Sequence, residues 1–188
     1  YAKIRVHTSD SDEYFEKQRK RQMSDETQDE AVQPDEEFER KIIEYSDKLV
    51  SLMGIAGKTS VIFREKRKLG LNIASADSSF IIGRKGKTLD SIQLIISIYA
   101  MQLGKDDIRI LLDCENYRVR REENLVRTAY SVAAKVRESR SSVLLEPMNP
   151  FDRRIIHTAL SDIADVDTKS EGTGQYKQVR VFYKVPHR

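Results

Sequence analysis

The stretch Ile81-Ile82-Gly83-Arg84-Lys85-Gly86-Lys87-Thr88 decides how the chain is read. Two glycines bracket two basic residues, after an apolar pair and ahead of an amphipathic pattern. Glycine has no Cβ, so it enters positive φ cheaply and lets another backbone come close. The pattern places a helix start at about Thr88, whose N–H groups and dipole favour an anion. Arg84 and Lys85 put positive charge where the dipole repels it, and an anionic ligand relieves that repulsion. The stretch therefore reads as a small phosphate grip. Gly86-Lys87-Thr88 also resembles the end of a Walker A loop, but that motif needs a glycine where Ile81 stands. A loop this short does not wrap a triphosphate tail, which sets an NTPase aside.

Outward from the grip, Leu89, Ile92, Ile96, Tyr99 and Leu103 recur at helical spacing until Gly104. Upstream, Phe38, Ile42, Tyr45, Leu49 and Leu52 predict a helix over 35–53, with Asp35, Glu36 and Glu37 favourably placed in its first turn. Strands are predicted over 58–66 and 69–76, and a third over 108–113. Downstream, 115–140 predicts a long helix with Leu125, Ala129, Val132 and Val136 as its apolar stripe, basic in its first half. A strand over 142–146 follows. Asn149-Pro150-Phe151-Asp152 is a strong helix start, with Asn as N-cap and Pro in the first turn. Two strands, 165–170 and 177–183, close the chain. The element order predicts an α+β fold of two small modules, of a size usual for independent domains.

The chain has 188 residues, 34% charged and 39% hydrophobic, with a net charge of +3. Residues 1–34 carry 6 basic and 8 acidic groups, and 114–188 carry 14 and 10. The mild excess of base permits a polyanionic partner without requiring one. Residues 9–34 are almost wholly polar, which predicts a linker with transient helix over 12–22. Residues 1–8 alternate like a strand, and the start at Tyr1 suggests a piece missing upstream. Cys114 is the only cysteine, so an internal disulfide and a multi-thiolate zinc site are excluded, and a reducing cytoplasmic setting fits best. No apolar run approaches the ~20 residues of a membrane span. No cofactor is implied, and neither a clustered acid pair with metal spacing nor a Cys/His zinc set points to a nuclease or deaminase.

Arg153 and His157 lie four apart on one helix and so share a face, where they could meet one phosphate as a cationic pair. A lone helical histidine is commonly satisfied by backbone or solvent instead. His7 and His187 lie near opposite termini, which argues against a metal.

Gly83-Arg84-Lys85-Gly86 between an apolar pair and an amphipathic helix resembles the GxxG loop of a type II KH domain (α-β-β-α-α-β), which clamps single-stranded nucleic acid. That resemblance implies a short helix over 78–82 and a base-binding groove lined by Ile81, Ile82 and Leu89, opposite the strand 69–76. Arg153-Arg154-Ile155-Ile156-His157, with Leu145–Phe151 before it and Ser170-Glu171-Gly172 beyond, resembles the Arg-x-x-x-His signature of R-three-H domains (here α-β-α-β-β). In this order, with the arginine-bearing segment Glu115–Glu123 between them, the two are similar to the bacterial Jag (SpoIIIJ-associated) family. In that family the glycine loop more often carries Lys-Arg than Arg84-Lys85, a change that keeps the charge.

The resemblance implies the end of an N-terminal Jag domain plus linker over 1–34, a KH domain over 35–114 and an R-three-H domain over 115–188. It implies a non-enzymatic protein that binds single-stranded RNA, or single-stranded DNA, and regulates cell elongation or division. Site residues carried over are Ile81, Ile82, Gly83, Arg84, Lys85, Gly86 and Lys87, with Arg118 and Arg121 as a basic flank and Arg153, Arg154 and His157 beyond. The alternative is an interaction scaffold, pairing through its KH domain as a homodimer or with a small single-KH protein.

Overall fold

The computed structural model describes residues 12–16, 35–174 and 177–184. These residues form two compact units that divide between Val119 and Arg120, with 12–16 belonging to the second.

In the first unit, helix α1 (Glu36–Leu52) is capped by Asp35, whose carboxylate accepts from the Phe38 N–H at 3.2 Å. Strands β1 (Lys58–Glu65), β2 (Lys68–Ala74) and β3 (Arg109–Asp113) form a sheet in the order β1-β2-β3. β1 and β2 are an antiparallel pair, whereas β2 and β3 run parallel. A parallel pair needs a long crossover. Helices α2 (Ser78–Ile82) and α3 (Lys87–Gln102) supply it, so the glycine turn sits in the middle of the crossover. The central strand is the most buried: Leu69, Leu71 and Ile73 enter the core with Phe38, Ile42, Ile81, Leu89, Ile92 and Ile96. Gly70 leaves room for the Phe63 ring, since a Cβ there would stand 2.2 Å from a ring carbon and the ring would have to move. A bulge between Val61 and Phe63 accompanies that contact.

In the second unit, helix α4 (Tyr117–Ser139), whose first turn belongs to the first unit, leads into β4 (Ser142–Leu144), helix α5 (Pro150–Leu160), β5 (Val166–Glu171) and β6 (Gln178–Tyr183). The sheet is antiparallel in the order β4-β6-β5. Asn149 caps α5 by accepting from the Asp152 N–H at 2.7 Å, with Pro150 at the first helical position. Val126, Ala129, Ala133, Val136, Ile156, Leu160, Val179 and Val181 make the core. The stripe of α4 is broader than its strict spacing suggests, since Val126 and Ala133 are buried beside Leu125, Ala129 and Val136.

The α+β order is as the sequence predicts, with ends shifted by one or two residues. One expectation is corrected. Residues 12–16 form a helical turn whose Tyr14 and Phe15 are half-buried against the second core. The polar composition around them hides two aromatics, each able to bury a large area alone. The strand expected over 1–8 lies outside the described residues. No helix among the described residues is long and apolar enough to cross a membrane.

Candidate nucleic-acid interface

The turn between α2 and α3 is built from unusual backbone. Gly83 has φ 68 and ψ −169, a conformation open essentially to glycine alone, and its N–H donates to Ser79 O. Lys85 is left-handed at φ 55, ψ 32, and Gly86 follows at φ 79, ψ 7. Three positive φ values in four residues reverse the chain. Gly86 is then the N-cap of α3 and provides no side-chain acceptor, while the Lys87 N–H at the helix start donates to Arg84 O within the turn.

Both glycines also touch neighbours. A Cβ on Gly83 would stand 2.0 Å from Thr88 Oγ1, and one on Gly86 would stand 2.7 Å from the Tyr117 ring. Arg84 and Lys87 are exposed, while Ile82 and Lys85 are half-buried.

The groove expected from Ile81, Ile82 and Leu89 is narrower than the sequence suggests. Ile81 is 0% exposed and Leu89 is equally buried, as are Leu71 and Ile73 of the strand opposite. A three-stranded sheet with three helices needs these side chains to close its core, which leaves Ile82 as the member with surface. Phe80, which the sequence reading passed over, is 67% exposed, and with Met53, Gly54, Ile55 and Asp77 it lines a cavity of about 400 Å³.

Arg118 and Arg121 do not form a free basic flank. Arg118 belongs to the first unit: its Nε donates to Leu112 O at 2.9 Å, and its Nη2 donates to Gln93 at 3.0 Å and Asp90 at 3.3 Å. Arg121 belongs to the second, where Nε and Nη2 donate to Asp152 Oδ2 at 3.1 and 2.7 Å. Asp152 is buried, so this pair locks α4 to the start of α5. Losing one partner of such a pair leaves an uncompensated charge.

On α5, Arg154 is exposed. Arg153 is half-buried and donates from Nη1 to Met148 O at 2.9 Å. His157 shares their helix, but both its ring nitrogens are engaged: Nδ1 lies 2.6 Å from Thr168 Oγ1 and Nε2 lies 2.8 Å from Ser170 Oγ. Burial, and then the Arg153 guanidinium, hold its pKa below 6.5, with Asp167 opposing. The cationic pair expected of Arg153 and His157 is thus one cation beside a neutral imidazole at neutral pH. Thr168 and Ser170 were not among the expected site residues, although Ser170 opens the quoted Ser170-Glu171-Gly172 and their spacing of two on a strand was an available signal. Among the described residues no group of three His, Cys, Asp or Glu is placed to hold a metal ion.

Comparison with known proteins bears on both units. Residues 39–112 match the KH domain of the KhpA/KhpB family, and residues 123–183 match the R-three-H domain. Over 154 residues the chain is 39% identical to the RNA-binding protein KhpB of Clostridium symbiosum, covering 81% of this chain and 69% of that protein. It is 31% identical over 133 residues to the protein of that name in Bacillus subtilis, covering 69% and 64%. It is also 31% identical over 142 residues to the one in Lactiplantibacillus plantarum, covering 76% and 44%.

Two outcomes follow from the geometry. Gly83→Ala destabilises the first unit by about 1–3 kcal/mol from its backbone alone, with the Thr88 contact adding to that, as urea denaturation will measure. His157 has a folded pKa depressed below its unfolded value of 6.5, so the unfolded chain binds the proton more readily. The stability it contributes is present above pH 6.5 and is lost as pH falls through the folded pKa. Melting temperature therefore declines on mild acidification, and the decline is smaller in His157→Gln.

Proposed function

The chain belongs to the KhpB (Jag) family, and on that premise we propose that it binds single-stranded RNA and catalyses no reaction. The observation that carries this reading is the turn at 83–86, which sets the exposed basic residues Arg84 and Lys87 beside a helix start that has no side-chain cap. Such a point suits a phosphate of the backbone, as KH loops clamp it. Lys85 adds charge beside it.

Ile82 and Phe80 are the apolar surface that α2 offers to bases. Arg153 and Arg154 supply cations in the second unit. Two weak sites on one chain bind more tightly than either does alone. In this proposal the protein works in the cytoplasm as an RNA-binding regulator of cell elongation or division, which is what the Jag resemblance implies.

A second reading rests on a different face. Leu94, Ile95, Ile98 and Met101 are all exposed along α3, within one arc of the helix. A stripe of this kind suits a protein partner, and in this reading the occupant is a second KH unit, from another copy or from a small single-KH protein.

Two measurements test the pair of readings. Arg84→Asp/Lys85→Asp keeps the circular dichroism of the fold and weakens binding to a labelled single-stranded RNA. It also flattens the dependence of log K on log salt by about 0.7 for each phosphate contact removed. Unchanged affinity and slope would falsify the grip. Ile98→Glu converts any dimer to monomer in sedimentation while leaving RNA contacts at the turn intact; a chain that is monomeric and finds no KH partner before the change rules the second reading out.

A further inference from the structure

We propose that Ser170 is the phosphate-contacting donor of the second unit and that His157 positions it, as a neutral relay from Thr168. This rests on the nucleic-acid reading above and names a residue that reading did not include. Thr168 and Ser170 alternate on β5 and so face the same side, where His157 of α5 bridges them at 2.6 and 2.8 Å. A neutral imidazole has one N–H and one bare nitrogen, so it donates to one hydroxyl and accepts from the other.

In the proposed tautomer the hydroxyl of half-buried Thr168 donates to Nδ1. Nε2–H then donates to Ser170 Oγ, and the proton of the exposed Ser170 is left to point outward. The three dipoles line up head to tail, Thr168 O–H to Nδ1, Nε2–H to Ser170 Oγ, and Ser170 O–H to the ligand. Hydrogen bonds in such a chain strengthen one another, and the chain ends in a donor, which suits an anion.

The charge at this place comes from Arg153 and Arg154, not from the imidazole. Of the charged groups around His157, Arg153 on its own helix disfavours an imidazolium and Asp167 on β5 opposes that. Arg121 and Asp152 are taken by one another. On β6, which also packs on α5, Val179 and Val181 enter the core and Arg180 is held by Glu171. Lys169, between the two hydroxyl residues, points to the other face of β5.

Fluorescence anisotropy of the full chain with a fluorescein-labelled single-stranded RNA of mixed sequence, at low salt, tests the relay. Ser170→Ala, an exposed change, should bind about tenfold more weakly, as expected for one hydrogen bond to a charged group. Thr168→Val acts only through Ser170, so Thr168→Val/Ser170→Ala should bind no more weakly than Ser170→Ala alone. Wild-type affinity should stay level from about pH 7 to about pH 9, because no imidazolium is needed. Ser170→Ala binding like wild type overturns the proposal, as do additive losses in the double variant. So does a several-fold fall in affinity over that pH range that disappears in His157→Gln. A wild-type chain that does not bind the probe at all overturns the nucleic-acid reading itself, which keeps the two failures distinct.

Discussion

The first unit depends on a steric constraint at two glycines. Ile81 and Leu89 lie eight residues apart, and both are fully buried in one core. Between them the chain must reverse within four residues, which it does by taking positive φ at Gly83, Lys85 and Gly86. Thr88 and Tyr117 then close on the space where a Cβ would be. Reversal of this kind cannot leave α3 with a side-chain cap, since the residue at the cap is a glycine. The turn that completes the core therefore also creates the anion-favouring helix end. Lys85 marks the same coupling. A non-glycine residue at φ 55 is strained by roughly 1 kcal/mol or more, and the chain keeps a lysine there, where a glycine would fit more easily.

Charge in both units divides into two kinds. Some guanidiniums are part of the framework: Arg64 grips Glu39, Arg118 ties Asp90, Gln93 and the Leu112 carbonyl together, Arg121 holds buried Asp152, and Arg180 holds Glu171. Their planar donors suit such fixed, multidentate contacts. Arg84, Lys87 and Arg154 are exposed and make no ion pair among the described residues. A net charge of +3 says nothing about this division. Two positively charged groups of equal sequence interest, Arg118 and Arg84, have opposite roles because one has carboxylate and carbonyl acceptors within 3.3 Å and the other faces water.

The division explains what the sequence disclosed. Periodicity exposed the helices, because α1 and α5 each bury a single stripe, and Asn149-Pro150 marked the start of α5 through a local capping rule. The glycine turn was legible because the backbone at Gly83 is open essentially to glycine alone. Contacts between residues far apart in sequence were not legible: Arg121 with Asp152, Gly70 beneath Phe63, and His157 with Thr168 and Ser170. Each joins elements whose register depends on the whole fold. Ile81 was read as groove for a related reason, since spacing reveals that a side chain is apolar but not which of two apolar surfaces receives it. Tyr14 and Phe15 show the converse, in which polar neighbours disguised a packed segment.

Helix α3 shows how one element can serve both readings of the protein. Its inner face, through Leu89, Ile92, Ile96 and Ala100, belongs to the core, while Leu94, Ile95, Ile98 and Met101 remain outside. An ordinary surface helix keeps one face polar, so α3 has more apolar surface than its own unit uses. The basic turn sits at its N-terminus, and the outer stripe begins seven residues later, about 10 Å along the axis. A partner lying on the stripe would therefore not need to cover the phosphate grip, and a phosphate on the grip would not displace the partner. The two proposed uses would then differ in chemistry, with cations and a helix start at one end and apolar area along the side. Neither use excludes the other.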